Sequence, residues 1–77
     1  MQIRELVEYV AKSLVSNPQE VQVEEVPSGR LTLYEIVAAE DDVGKIIGRQ
    51  GKIIRALRTI AKASATRHGV RVDVDVA

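Results

Sequence analysis

The chain has 77 residues, of which 45% are apolar, with no cysteine and a formal net charge of zero. This length predicts one domain over residues 1–77, and the lack of cysteine excludes disulfides, thiolate metal ligands and a cysteine nucleophile. We expect neither a signal peptide nor a membrane span, because no uncharged stretch is long enough to cross a bilayer.

The zero net charge hides an uneven distribution along the chain. Residues 1–42 carry three bases and nine acids, whereas residues 43–71 carry eight bases and no acid. A basic segment favours binding to a polyanion, although a solvated basic helix face is the simpler explanation. The charge therefore needs a second observation before it indicates nucleic acid.

The first half of the chain predicts one helix and two strands. Apolar residues recur at helical spacing over residues 3–15, which predicts an amphipathic helix that ends at Asn17-Pro18. Valines alternate with polar residues at 21–24, which predicts a short strand, and the composition of 27–30 predicts a turn. Residues 31–39 form the second predicted strand.

The second strand has apolar side chains on both of its faces. One face carries Tyr34 and Ile36, and the other carries Leu33, Glu35 and Val37. We assign the face of Tyr34 and Ile36 to the core, because the opposite register would bury Glu35.

The second half of the chain predicts two helices and a strand. Asp42 is the expected N-cap of a short helix that starts at Val43 and stops at Gly48. A longer helix is predicted over about 51–68, with Gly69 as the residue after its C-terminus. Strict alternation of valine with charged residues over 70–76 then predicts a strand.

The predicted order is helix, strand, strand, helix, helix, strand. We expect the first two strands to form an antiparallel hairpin, and the last strand to lie parallel to the second after a helical crossover. This order predicts an α+β fold, in which a three-stranded mixed sheet is covered by helices on one face.

Gly48-Arg49-Gln50-Gly51 lies between the two predicted helices, and this spacing of glycines predicts a tight turn. Such a turn leaves backbone N–H groups unpaired at the start of the second helix, where the helix dipole also favours anions. Residues 43–58 hold five bases and no acid. The turn and the charge together predict a phosphate site, and RNA as the polymer that carries the phosphate.

Residues 47–54, which are IGRQGKII, resemble the Ile-Gly-x-x-Gly-x-x-Ile signature of KH domains. The element order α-β-β-α-α-β is similar to that of type II, prokaryotic KH domains. The chain also resembles, over essentially its whole length, the small single-domain bacterial proteins of the KhpA family.

This resemblance implies a cytoplasmic protein that binds single-stranded RNA, as an RNA chaperone or post-transcriptional regulator. It also implies a homodimer, a heterodimer with a larger KH protein of the KhpB (Jag) type, or both. From the residues themselves we expect no cofactor and no catalytic activity.

The resemblance further implies that the glycine turn clamps the backbone of about four nucleotides. Gly48 and Gly51 lack a Cβ and can adopt positive φ, so a phosphate can approach the main chain. Arg49 and Gln50 are expected to project from the tip of the turn. The cations expected to contact phosphates are Lys45, Lys52 and Arg55.

RNA bases are expected to lie against aliphatic side chains, because neither Tyr9 nor Tyr34 belongs to the basic segment. The candidate walls are Ile46, Ile47 and Ile53, with core packing as the alternative for each.

The longer helix has two apolar rows. Since one row suffices to cover a three-stranded sheet, the second row can dock another copy of the same helix in a twofold dimer. The alternative is that the first helix covers this second row. The expected centre of the dimer interface comprises Ile60, Ala63 and Ser64.

Three other functions need to be considered. The phosphate loop of a nucleotide-hydrolysing enzyme needs glycine at position 46 and serine or threonine at position 53, and both are isoleucine here. His68 is the only histidine and is expected to be a helix-terminal cation, which leaves no base and no metal site. A protein–protein interaction module with a basic helix face, and a duplex DNA-binding protein, stay open.

Overall fold

A computed structural model describes residues 2–77, in which three α-helices and a three-stranded sheet are formed. The elements are α1 (Ile3–Leu14), β1 (Gln22–Ser28), β2 (Leu31–Val37), α2 (Val43–Ile47), α3 (Lys52–Arg67) and β3 (Arg71–Val76). Single turns of 3-10 helix lie at Pro18–Glu20, Glu40–Asp42 and Arg49–Gly51. The predicted order of helices and strands is confirmed.

The strands lie side by side in the order β1-β2-β3. β1 pairs antiparallel with β2, and β2 pairs parallel with β3. The parallel pair follows from the crossover through α2 and α3, which carries the chain back to the end of the sheet where β2 begins. The predicted mixed sheet is therefore confirmed.

One face of the sheet is buried beneath the helices. Tyr34 and Ile36 of β2 point into this core, and Val74 of β3 pairs with Tyr34. Glu35 lies on the opposite face and is only partly buried, which confirms the predicted register. The helices contribute to the core Val7, Ala11, Ile46, Ile54, Leu57, Ala61 and Ala65.

α3 faces the sheet with the row of side chains that begins at Ile54 and includes Leu57. Burying a side chain such as Leu57 stabilises the fold by about 1.5–3 kcal/mol. The helix ends as predicted before Gly69, whose φ is +69° and whose N–H donates to the carbonyl oxygen of Thr66. None of the helices in residues 2–77 combines the length and the apolar character that a bilayer span requires.

The turn between β1 and β2 is shorter than the sequence predicts. Pro27 and Ser28 belong to β1, where they pair with Thr32 and Leu31, so only residues 29–30 form the turn. Proline is tolerated here because β1 is an edge strand, on which an N–H directed away from the sheet is not needed.

Asp42 does not cap α2 with its side chain, which corrects the role predicted for it. The carboxylate is fully buried and accepts hydrogen bonds from the backbone N–H groups of Ser16, at 3.1 Å, and Asn17, at 2.9 Å. The side-chain amide of Asn17 donates a third hydrogen bond, at 3.1 Å. Asp42 thus ties the segment after α1 to the start of α2.

These hydrogen bonds determine the acidity of Asp42. Burial alone would raise the pKa of the carboxyl group, but the hydrogen bonds from Ser16, Asn17 and Lys45 outweigh it and lower the pKa to about 2, from an ordinary value of 3.8. The charged carboxylate therefore stabilises the folded state.

We expect the contribution of Asp42 to stability to be complete above the ordinary pKa of 3.8 and to be lost as the pH falls towards about 2. Asp42→Asn replaces one acceptor oxygen by a donor that faces the N–H groups of Ser16 and Asn17, so it lowers the melting temperature at neutral pH. The measurement is the melting temperature of the unchanged protein and of the Asp42→Asn variant as a function of pH.

The difference between the two melting temperatures should be constant from neutral pH down to about 4 and should shrink towards pH 2. Asp41→Asn, which removes the same charge from an exposed side chain, is the matched control. A difference that stays constant down to pH 2 would contradict the role assigned to the buried carboxylate.

Candidate nucleic-acid interface

The turn between α2 and α3 contains three residues with positive φ. Gly48 has φ of +77°, Gln50 of +57° and Gly51 of +72°. Gly48 ends α2 by donating its N–H to the carbonyl oxygen of Gly44 at 2.9 Å, and Gly51 donates to Gly48 at 3.0 Å. The predicted tight turn is therefore present.

Gly48 is required by its surroundings as well as by its conformation. A Cβ at this position would lie 2.6 Å from Cγ1 and 2.9 Å from Cβ of Ile53. Both distances are far below van der Waals contact, so Ile53 packs against the main chain of Gly48 because no side chain stands there. At Gly51 a Cβ would have room, and only the positive φ favours glycine.

Gln50 is the only non-glycine residue with positive φ among residues 2–77. A left-handed conformation costs a residue with a side chain about 1–2 kcal/mol. Strained residues of this kind concentrate at functional sites. Because Gln50 and Gly51 are left-handed in succession, the turn forms a concave run of main chain of the type that binds anions.

The free donors of the turn are the amides of Arg49 and Gln50, because the first residues of a helical turn have no acceptor within it. The amides of Gly51 and Lys52 are already bonded to the carbonyl oxygens of Gly48 and Arg49. The sequence predicts unpaired N–H groups at the start of α3. The 3-10 turn at 49–51 consumes two of those donors and moves the free ones to the tip.

Three cationic side chains lie near these amides, and none of the three has a countercharge among residues 2–77. Arg49, Lys52 and Arg55 are exposed, and none forms an ion pair with a residue in the range 2–77. The guanidinium of Arg55 lies beside the turn, since its Nη1 is 3.7 Å from the position that a Cβ on Gly51 would take. Their charge is therefore available to an anion at the turn.

Two further bases in residues 43–58 form ion pairs with acidic side chains. The Nζ of Lys45 lies 3.2 Å from Oδ1 of Asp42 and donates to the hydroxyl of Ser16. The Nε of Arg58 donates a hydrogen bond, at 2.7 Å, to the carbonyl oxygen of Val74 in the edge strand β3. The carboxylates paired with Arg58, at 3.4 Å each, are those of Asp73 and Asp75.

The three isoleucines predicted to contact RNA bases differ in their exposure to solvent. Ile46 is fully buried, so core packing is the correct interpretation for it. Ile53 is half-buried against Gly48. Only Ile47, which is 36% exposed, presents much of its side chain to solvent beside the turn.

The second apolar row of α3 is not covered by α1. Ile60 is 48% exposed, Ala63 is exposed and Ser64 is half-buried. The alternative in which the first helix covers this row is therefore wrong for Ile60 and Ala63. The row is an unoccupied apolar surface on α3.

The fold is found among solved structures. The crystal structure of Aquifex aeolicus Era bound to GDP.AlF4− matches with a TM-score of 0.64 and 22% sequence identity, over 97% of this chain and 30% of that chain. At this identity the likeness concerns the fold alone. The element order, the mixed sheet and the Gly-x-x-Gly turn between α2 and α3 define a type II KH domain.

Residues 4–76 match the family described as KhpA/KhpB, KH domain. The RNA-binding protein KhpA of Clostridium acetobutylicum is 45% identical over 74 residues, which cover 96% of this chain and 99% of that protein. The RNA-binding protein KhpA of Chlamydia pneumoniae is 39% identical, over 96% of this chain and 95% of that protein. The chain belongs to the KhpA/KhpB family of KH domains, which confirms the resemblance.

Two glycines provide a test of the turn. We expect Gly48→Ala to lower the free energy of unfolding by about 1–3 kcal/mol, because it adds strain at positive φ and a clash with Ile53. The matched control is Gly44→Ala in α2, where a Cβ meets nothing within 4 Å. This change should raise the free energy of unfolding by up to about 1 kcal/mol. Urea unfolding followed by circular dichroism measures both, and equal effects would contradict the role assigned to Gly48.

Proposed function

We propose that this chain binds single-stranded RNA by gripping its sugar–phosphate backbone at the α2–α3 turn. The observation that carries the proposal is the pair of free amides at Arg49 and Gln50, set among three cations that have no countercharge within residues 2–77. The names of the family members that this chain resembles, which are RNA-binding proteins, support the same class of ligand.

A phosphate at the turn accepts hydrogen bonds from the amides of Arg49 and Gln50. Lys52 and Arg55 stand on the α3 side of this position and supply charge-assisted contacts. Lys45 stands on the α2 side, and its ammonium has three donors, so it can hold Asp42 and Ser16 and still approach a phosphate. By analogy with other KH domains, about four nucleotides are clamped.

Bases that follow the clamped backbone lie against the side chain of Ile47 and the exposed part of Ile53. Residues 43–71 contain no phenylalanine, tyrosine or tryptophan, so base stacking on such rings contributes nothing there. Contacts to phosphate fix the position of a strand and carry little sequence information. The proposed function is therefore RNA binding with weak sequence preference, as suits a cytoplasmic RNA chaperone or post-transcriptional regulator.

We expect the double change Arg49→Asp and Gln50→Asp to lower affinity for a single-stranded RNA by about tenfold or more, because it replaces a cation at the tip with two anions. Folding should be retained, because aspartate tolerates the left-handed conformation of position 50. Fluorescence anisotropy with a labelled oligoribonucleotide measures the affinity, and circular dichroism verifies the fold.

The charge-matched control is the double change Lys12→Asp and Gln19→Asp, at exposed positions outside the α2–α3 turn. It should leave most of the RNA affinity intact. If both double variants lose the same affinity, the turn has no special role. Competition with duplex DNA, and with an acidic protein, tests the two other ligand classes.

We also propose that two copies of the chain, or this chain and a KhpB-type KH protein, associate through the exposed row of α3. Ile60 lies at the centre of this surface, with Ala63 and Ser64 beside it. Small residues around one large apolar side chain permit close approach of two helices related by a twofold axis. Two linked modules gain avidity for one RNA strand without new contacts.

We expect Ile60→Glu to shift sedimentation towards the mass of a single chain, because it places a charge in the proposed interface. The fold should persist, because Ile60 is 48% exposed in the isolated chain. The matched control is Tyr9→Glu, at an exposed position of α1. Identical sedimentation of the two variants, with or without a KhpB-type protein, would place the interface elsewhere.

A further inference from the structure

The exposed surface of α3 is divided between two stripes of different chemistry. With the helical repeat of 3.6 residues, the exposed side of α3 that is centred about 120° around the axis from Ile60 carries cations and threonines over the whole length of the helix. No acid occurs anywhere in α3. We call this side the cationic stripe of α3, and it comprises Lys52, Arg55, Thr59, Lys62 and Thr66.

The cationic stripe leads from the α2–α3 turn to a cleft at the far end of α3. Lys62 follows Lys52 by ten residues, which places it about 15 Å further along the helix axis. There the cleft, of about 280 Å³, lies between the last turns of α3 and the first residues of β2 and β3. Its lining includes Leu31, Lys62, Thr66, Val70, Arg71 and Val72.

The polar part of this lining is cationic. Lys62 and Arg71 are exposed, and neither forms an ion pair with another of the described residues 2–77. Arg58, which lies between the turn and the cleft, is held by Asp73 and Asp75. The available charge is therefore concentrated at the two ends of the stripe.

The remaining lining is aliphatic. Leu31 is half-buried, Val72 is buried and Val70 is 51% exposed. The hydroxyl of Thr66 donates to the carbonyl oxygen of Lys62 at 2.8 Å, so its oxygen stays available as an acceptor. An apolar floor with cations at its rim suits a ligand that has one flat apolar part and one anionic part, as a nucleotide does.

We propose that the cleft is a second RNA subsite, which receives a nucleotide outside the segment clamped by the turn. Its phosphate lies between Lys62 and Arg71, and its base rests on Leu31 and Val70. This inference depends on the proposed function, because the turn holds the strand that the cationic stripe then guides to the cleft. The chain accordingly binds more nucleotides than the turn alone can contact.

The test compares RNA of about four nucleotides, which fills the turn, with RNA of about ten nucleotides. The variant is the double change Lys62→Gln and Arg71→Gln, which removes two charges from exposed side chains. The matched control is Lys12→Gln and Arg67→Gln, which removes two charges elsewhere, with Arg67 on the other exposed side of α3. Anisotropy titrations at several salt concentrations measure the affinity of each protein for each RNA.

We expect the cleft variant to bind the short RNA as the unchanged protein does and to bind the long RNA about tenfold more weakly. The slope of log affinity against log salt concentration on the long RNA should flatten by about 0.7 for each phosphate that the variant no longer neutralises. The control should match the unchanged protein on both RNAs. Inorganic phosphate should compete weakly, because it lacks a base.

An equal loss on both RNAs would overturn the inference, since the cations would then act at the turn. Unchanged affinity for the long RNA, or a change of sedimentation without a change of RNA affinity, would also overturn it. The proposed function fails separately, if the double change of Arg49 and Gln50 to Asp leaves binding of the short RNA intact.

Discussion

The side chain of Ile53 occupies the space that a Cβ on residue 48 would need, and the turn between α2 and α3 depends on this contact. Only glycine fits at position 48. The chain then reverses within a few residues, through left-handed conformations at Gln50 and Gly51. The reversal leaves two amides free at the tip, while the next residues of α3 place Leu57 in the core. The packing of the fold and the anion site are therefore consequences of the same turn.

Acids in this protein determine which of its bases are available. Arg58 is held by two carboxylates and Lys45 pairs with one while it keeps a donor for a further anion, whereas the remaining bases of α3 face solvent. On the uncovered face of the sheet, Glu24 pairs with Glu35 and Glu35 pairs with Asp75, so three carboxylates lie in one row across the strands. A polyanion is repelled from this face and attracted to the helical side. A chain with zero net charge thus presents two surfaces of opposite sign.

Most of the fold was predictable because its elements are strongly periodic. The spacing of Ile54 and Leu57 identified the buried row of α3, and the unfavourable burial of Glu35 identified the inward face of β2. The errors lie where tertiary contacts override local signals. Pro27 belongs to a strand because β1 is an edge, and the side chain of Asp42 does not cap α2 because it accepts hydrogen bonds from three N–H donors in the interior.

For the candidate site, the sequence alone determined the Gly-x-x-Gly turn, its place between two helices and the excess of bases around it. These features are local, since glycine spacing and charge counts need no knowledge of contacts. Only the tertiary structure decided that Arg58 is not free, because its countercharges are distant in sequence. Arg58 and Asp75 are 17 residues apart, so their contact arises only when α3 packs against β3, whereas Lys45 lies three residues from its partner Asp42.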